Sequence, residues 1–511
     1  HNSLRDNPRY KWAVTFCIML GSLMVILDSV IVNVGLPNIM ASFGVNVNKV
    51  QWVVTSYLLT MAIMMPTAGW AGEVLGHKNL YLFSLIIFLI GSVFCALSWN
   101  IETLIFSRAL QGIGGGSLMP ISMVIIFQAF PERQRGLAMG VYGLGVSMGP
   151  AIGPTLGGFL IDKFGWPAMF WINIPIGAVG ILATLIIVKE IRPRRMLKFD
   201  WPGFAAMSLF LTTLLLALSR GRSEGWGSNY ILSLLSITIG AVVAFLIIER
   251  RTSQPLIDLS LYKITVYAGA TIVSVFVGVV MFAATFLTPL FLQNIMGMDA
   301  LQTGMMVFPG ALVAGIFLPV AGWLSDRTDP RIPIYIGIAG FLMSAYLGIS
   351  LDARSSDAFI LAMVITRGVG LAMIFPPLLN TAMSYISPMK MGMASGLITV
   401  IRTIGGIFGV AITSTLLEKR AVVHELTMGE AIETSSMATR NAITKLQGLL
   451  HSSGYSDSIT DHASLALIKQ YISGQALVSA FDDCFWVLFI IFGFVVIPAW
   501  IIKKKKIELS P

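Results

Sequence analysis

Of the 25 Asp and Glu residues in this chain, Asp28 alone lies deep in an apolar run, Leu27-Asp28-Ser29-Val30-Ile31-Val32-Asn33-Val34-Gly35-Leu36-Pro37. A carboxylate set in hydrocarbon costs several kcal/mol unless it is paired, hydrated or protonated, so a functional role is the default expectation. Burial and a nearby cation act in opposite senses on a carboxyl group, and a group held between them is suited to taking up and releasing a proton. The cation that suits it is Arg108, in Ser107-Arg108-Ala109-Leu110-Gln111-Gly112-Ile113-Gly114-Gly115-Gly116. At the helical rise, Asp28 stands about 13 Å from Pro37 and Arg108 about 9 Å from Glu102, comparable depths if both are measured from the same membrane face. An Asp28/Arg108 interaction, direct or through water and loosened by a proton, is the expected proton-coupling site. The alternative is a static ion pair joining two helices, which is rarely worth its desolvation. Gln111 lies one turn from Arg108 on the same face, within reach of Asp28 or of backbone carbonyls.

These groups must be positioned by membrane-spanning helices. Of the 511 residues, 56% are hydrophobic and 12% charged, a balance foreign to soluble domains. The apolar residues fall in runs of about 20, enough to cross roughly 30 Å of hydrocarbon. Reading them gives an all-α membrane protein of fourteen spans: six within 13–188, two more near 202–219 and 230–248 in a linker 189–264, and six within 265–502. The last of these begins only near 481. The segment 418–480 is polar and is expected as an outer loop, with amphipathic helix around 418–450. The chain opens on His1-Asn2 without Met, and its first apolar run exceeds signal-peptide length, so no cleavable leader is expected.

An even span count puts both ends of the chain on one side. Most of the 34 Lys and Arg residues then fall in one set of loops, including Arg192, Arg194, Arg195 and Lys503 to Lys506. Positive charge marks the cytoplasmic side, so segments 1–12 and 503–511 are expected there. The net charge of +9 is thus a topology signal and not a nucleic-acid patch.

Three pairs of segments recur at an offset of about 256 residues: Gly69-Trp70-Ala71-Gly72-Glu73 with Gly322-Trp323-Leu324-Ser325-Asp326, Arg135-Gly136-Leu137-Ala138-Met139-Gly140 with Met391-Gly392-Met393-Ala394-Ser395-Gly396, and Arg108 with Arg367. Each falls at the same span of its half, which points to duplicated six-helix bundles with two helices inserted between them. Bundles of this kind rock about a site between them. In the fifth span Gly145, Gly149, Gly153 and Gly157 recur every four residues, followed by Gly158, and leave one face without side chains. Pro150 and Pro154 remove backbone donors from the same stretch, so a packing and hinge surface is expected.

With these motifs the chain resembles the major facilitator superfamily, in its fourteen-helix drug:proton antiporter branch, the EmrB/QacA type, over essentially the whole length. The resemblance implies proton-driven export of hydrophobic or amphipathic compounds by alternating access, with no cofactor beyond the proton gradient, in a bacterial inner membrane. It further implies a periplasmic adaptor and an outer-membrane channel if the cell has two membranes. Asp28 takes the place of the acidic residue associated with proton or cationic-substrate handling, Arg108 and Gln111 match the RxxQG motif, and the fifth-span glycines and prolines look like the antiporter motif.

The stretch Gly69-Trp70-Ala71-Gly72-Glu73-Val74-Leu75-Gly76-His77-Lys78 is similar to the superfamily's cytoplasmic gating loop. There an acidic residue meets a helix N-terminus or an Arg and latches the outward-facing state. Glu73 and Val74 replace the usual Asp and Arg, whereas the second copy keeps Asp326 and Arg327. Arg133 and Arg135 are inside-positive residues first and latch partners second.

For a substrate cavity, Asn33, Tyr57, Gln111, Tyr142, Phe282, Phe286, Gln293, Arg367, Phe375 and Asn380 are candidates, since aromatic and amide groups suit lipophilic ligands; ordinary helix packing is the competing explanation for each. Arg367 and Arg402 are intramembrane cations without an evident acid, and each either faces the cavity or bonds helix carbonyls. Cys17, Cys95 and Cys484 form no CxxC pair, and all five His lie outside the apolar runs, so neither a disulfide framework nor a metal site is expected. No phosphate loop of the GxxxxGK[ST] type occurs, which argues against ATP drive. A narrower substrate (a tetracycline-like antibiotic, a fatty acid or a lipid) is the alternative among exporters. A membrane enzyme or sensor would need an intramembrane nucleophile and base, and neither a His nor a second deep carboxylate is there to serve.

Overall fold

The computed structural model describes residues 8–190, 197–387, 390–431, 437–452 and 457–502. Arg192, Arg194, Arg195 and the basic tail 503–511 lie outside them. Among the described residues there is no strand, and fourteen helices are long and apolar enough to span a membrane. The reason is local: in lipid each backbone N–H must find its carbonyl within the segment.

The first bundle comprises α1 (Pro8–Phe43), α2 (Val47–Leu75), α3 (His77–Ala96), α4 (Ile101–Ala129), α5 (Arg135–Phe164) and α6 (Asn173–Ile187). The inserted pair is α7 (Trp201–Glu224) and α8 (Asn229–Arg251). The second bundle holds α9 (Thr265–Asn294), α10 (Ala300–Arg327), α11 (Arg331–Ile349), α12 (Asp357–Ser384), α13 (Met391–Ala431) and, after a short α14 (Met437–Ser452), α15 (Asp457–Gly493).

Short polar residues start many of these helices by accepting a free backbone N–H. Asn100 and Thr103 form a reciprocal cap on α4, as do Asp299 and Gln302 on α10, while Asn46, Ser228 and Ser356 cap α2, α8 and α12. α5 runs without interruption through Pro150 and Pro154.

One departure from expectation concerns 418–480. Beyond the amphipathic helix expected around 418–450, the region is also helical over 457–480; its described helical parts are 418–431, 437–452 and 457–480, because α13 and α15 continue past their apolar portions. The apolar run marks where lipid ends, which is a different boundary from where helix ends.

The inserted pair leans on both bundles. At one end Trp70 of α2 packs edge-on to Phe199 at 4.6 Å. At the other the Arg220 guanidinium lies 5.2 Å from the Trp52 ring, while Trp226 Nε1 donates to Thr415 Oγ1 of α13 at 2.9 Å and Arg222 pairs with Glu418 at 2.8 Å.

The end at which α1 begins is a mesh of polar links; it carries the basic loops and is termed the basic end. Glu190 accepts from the backbone of His77 and Lys78, each at 3.1 Å, Arg331 donates to Ile502 O at 2.8 Å, and Lys390 pairs with Asp258. Burial works to raise the Asp258 carboxyl, but hydrogen bonds from Lys390 and Ser260 outweigh it and hold the group below its ordinary value. A carboxyl lowered by folding contributes stability above its unfolded value of about 3.9, and loses it only as pH falls through the lower folded value. Asp258→Asn is therefore expected to destabilise by no more than about 1 kcal/mol, the scale of a partly exposed pair, and equally at pH 5.5 and 7.5 by thermal unfolding.

Candidate functional site

Asp28 is fully buried inside the first bundle, and three donors converge on it. Arg108 Nη1 of α4 stands 2.6 Å from Oδ2, while Gln111 Nε2 and Asn173 Nδ2 of α6 reach Oδ1 at 2.9 and 2.8 Å. Ser92 Oγ of α3 accepts from both amides, at 2.8 and 3.2 Å. The guanidinium also donates from Nε to Val53 O at 3.1 Å and from Nη1 to Gln111 Oε1 at 2.5 Å. It lies 4.0 Å from the centroid of the Tyr57 ring, with Phe170 at 5.8 Å beyond. Five helices thus place one carboxylate and one guanidinium out of contact with solvent.

The expected Asp28/Arg108 contact is direct. Every neighbour hydrogen-bonded to the carboxyl group is a donor, and the bond from Arg108 is charge-assisted. Asn173 and Ser92 were not anticipated. The available signal was an amide inside the apolar sixth span, but which partner it faces depends on helix rotation. Arg108→Ala would leave Asp28 buried without its counter-ion, and a loss of about 3–5 kcal/mol in thermal unfolding is expected, largely recovered in the Asp28→Asn/Arg108→Gln double variant.

The glycine stripe of α5 holds the helix that carries Asp28. A Cβ at Gly149 would stand 2.7 Å from Ile26, at Gly153 2.7 Å from Val30 and at Gly157 3.0 Å from Ile31, while Gly145 faces Met19. Gly158 meets nothing within 4 Å, and Pro150 and Pro154 point away, exposed. The part of α5 nearer the basic end faces the second bundle. There Gly136 abuts Gly322 and Gly140 abuts Leu318 of α10, while across the pseudo-twofold Gly69 abuts Met393 and Gly396 abuts Met65. The duplicated motifs therefore pack crosswise, the first motif of each half on the second motif of the other.

The gate acid is at the same end. Asp326 accepts from the backbone N–H of Gly136 and Leu137, both at 2.9 Å, at the start of α5, and Asn380 Nδ2 approaches it at 3.2 Å. A carboxylate on a helix N-terminus meets unpaired donors and the positive end of the dipole. Glu73, in the first copy, stands 3.9 Å from His77. Arg327 stacks on Trp323 at 4.5 Å, Arg135 donates to Phe127 O at 3.1 Å, Arg133 is exposed, and Lys78 Nζ donates to Leu185 O at 2.9 Å. Gly76, at φ +85°, turns the chain against the Glu190 carboxylate. The closest approaches between bundles lie from this end up to the level of Ser147 and Gly315.

The residues expected in a substrate cavity are dispersed. Tyr57 and Gln111 belong to the Asp28 cluster and Asn380 to the gate acid. Tyr142 donates to Ser22 Oγ at 2.7 Å, Asn33 is exposed and bonds Ser29 O at 3.0 Å, and Gln293 is exposed at the end of α9. Phe282 packs on Gly406, and Phe286 is partly buried against the apolar core. Arg367 bonds Ala284 O at 3.0 Å and Thr288 Oγ1 at 2.7 Å. Phe375 and Arg402 line a cavity together with Ser274, Leu378 and Ile398. No group of three or more potential metal ligands occurs among the described residues.

Comparison with known proteins agrees with this architecture. The family model described as Major Facilitator Superfamily matches residues 18–410. The multidrug resistance protein Stp of Mycobacterium tuberculosis (strain ATCC 25618 / H37Rv) is 35% identical over 78% of this chain and 74% of its own. The multidrug export protein EmrB of Escherichia coli (strain K12) is 28% identical over 93% and 91%, and the colistin resistance protein EmrB of Acinetobacter baumannii 30% identical over 95% of each. Among solved structures, a double-Trp mutant of XylE superposes with a TM-score of 0.64 at 13% identity, covering 98% of this chain and 97% of that one, a likeness of fold alone.

Proposed function

The chain belongs to the Major Facilitator Superfamily and is a multi-pass secondary transporter, and on that premise we propose that it is a proton-coupled antiporter exporting hydrophobic or amphipathic compounds. Relatives named for multidrug export and resistance support the substrate class. The observation that carries the coupling is the Asp28 cluster, an acid at 0% exposure whose charge is balanced only by Arg108 and two amides.

A proton on Asp28 removes the charge that Arg108 answers and converts an acceptor into a donor, so the grip of α4 and α6 on α1 slackens. α1 lies on the glycine stripe of α5, and the other end of α5 is latched by Asp326. Proton binding on one helix thereby reaches the inter-bundle seam through a continuous packed surface. The seam is closed at the basic end, and in this reading the step that follows proton uptake opens that end to take substrate.

Lys and Arg placement supports a bacterial cytoplasmic membrane with both termini cytoplasmic, the basic end facing the cytosol. A periplasmic adaptor leading to an outer-membrane channel would meet the extensions of α13 and α15, where Leu426 and Tyr471 are exposed. The test is substrate-driven proton movement in proteoliposomes, wild type against Asp28→Asn. An unchanged rate in the variant would remove Asp28 from the mechanism.

A further inference from the structure

Three arginines stand deep within the apolar runs, and two of them have acceptors in the protein. Arg108 has Asp28, and Arg367 has the Ala284 carbonyl and the Thr288 hydroxyl. Arg402, about 16 Å along α13 from Met391 and so near the bilayer middle, has neither a hydrogen-bond acceptor nor a carboxylate partner among the described residues. Its guanidinium lies over the Phe375 ring at 4.7 Å and, with Ser274, Leu378 and Ile398, lines a cavity whose other walls are apolar. Six and seven residues earlier on the same helix, Gly396 abuts Met65 and Ser395 donates to Pro120 O of the opposite bundle, so the cavity lies near the inter-bundle seam.

A guanidinium without a counter-ion at this depth is costly, and an aromatic face offsets only part of that cost. Asp28 does not supply the balance, being fully buried and occupied within its own bundle. With no partner among the described residues and a side chain only partly covered, the guanidinium is open to a group from outside the chain, and a planar donor fork suits a carboxylate, phenolate or sulfonate.

We infer that Arg402 binds the anionic group of the transported compound, so that amphipathic anions are recognised in preference to cations of the same shape. This deepens the export reading above and rests on it for the word transported. Arg367 on α12 differs in that its Nη1 already donates to two acceptors of α9.

The test uses the full-length protein in nanodiscs and two dyes with a common xanthene body, anionic fluorescein and cationic rhodamine 6G, with binding read by fluorescence polarisation. Arg402→Gln is expected to weaken fluorescein at least about 10-fold and to strengthen rhodamine 6G, while Arg402→Lys, keeping charge but losing the fork, falls between. A fluorescein affinity within about 2-fold of wild type, or a parallel loss for both dyes, overturns the inference. Because binding is measured without a proton gradient, failure of Asp28-dependent proton exchange would sink the coupling reading and leave the Arg402 site standing, and the reverse result would do the opposite.

Discussion

Asp28→Asn is expected to abolish export driven by a pH gradient, to below about 1% of the wild-type rate, while leaving the fold and substrate binding in place. An amide occupies the same volume and its oxygen still accepts from Gln111 and Asn173, but its Nδ2 faces Arg108 where Oδ2 stood, so the variant stays folded at a cost of up to about 3–5 kcal/mol. What it lacks is a proton to exchange. The loss corresponds to at least about 2.7 kcal/mol in the barrier of the coupled cycle. Arg108 would then sit without its acid, but Val53 O, Gln111 Oε1 and the Tyr57 ring remain to hold it. The measurement is pH change inside proteoliposomes after substrate addition, beside a thermal unfolding curve. A protein that folds, with a lowered melting temperature, yet moves no protons supports the coupling role. One that moves protons at the wild-type rate makes the Asp28–Arg108 pair a structural brace.

The second large effect is expected at the seam. Gly322 faces Gly136 backbone to backbone, and a Cβ there would also stand 2.9 Å from Leu137 N, where no side-chain rotation relieves it. Gly322→Val forces α5 and α10 apart at the point where Asp326 grips the start of α5. Overpacking of about 1–3 kcal/mol shifts a two-state equilibrium by roughly 5- to 150-fold toward the conformation in which the helices separate. Transport should fall about 100-fold with binding retained. Spin labels at Arg133 and Asp329, on the loops flanking the seam, should move apart by roughly 5 Å or more, measured by electron–electron double resonance. An unchanged distance with normal transport would mean that the two helices never need to meet this closely.

Both predictions rest on residues that the sequence singles out, yet the partners came from the folded chain. Gln111 was expected to reach Asp28 or a backbone carbonyl; the carboxylate, Arg108 and Ser92 are what it meets. Arg367 and Arg402 are indistinguishable as buried cations in an apolar run, but one bonds α9 and the other lines a cavity. Glu190 holds the start of α3 as Asp326 holds the start of α5, and no motif announces it. Asn380 reads as a cavity amide, and its hydrogen bond to Asp326 could not be foreseen.

Span count, the solitary intramembrane acid, the four-residue glycine period and the duplicated halves are properties of neighbouring residues, or of a comparison along one line. Hydrocarbon thickness and helical rise make them legible without a structure. Which donors surround Asp28, which glycines cross the pseudo-twofold and which arginine is left without a partner depend on rotations of helices about their own axes. Those rotations are set by packing among residues far apart in the chain, and a change of one residue in the facing register, about 100° around a helix, turns a buried ligand into a lipid-facing side chain.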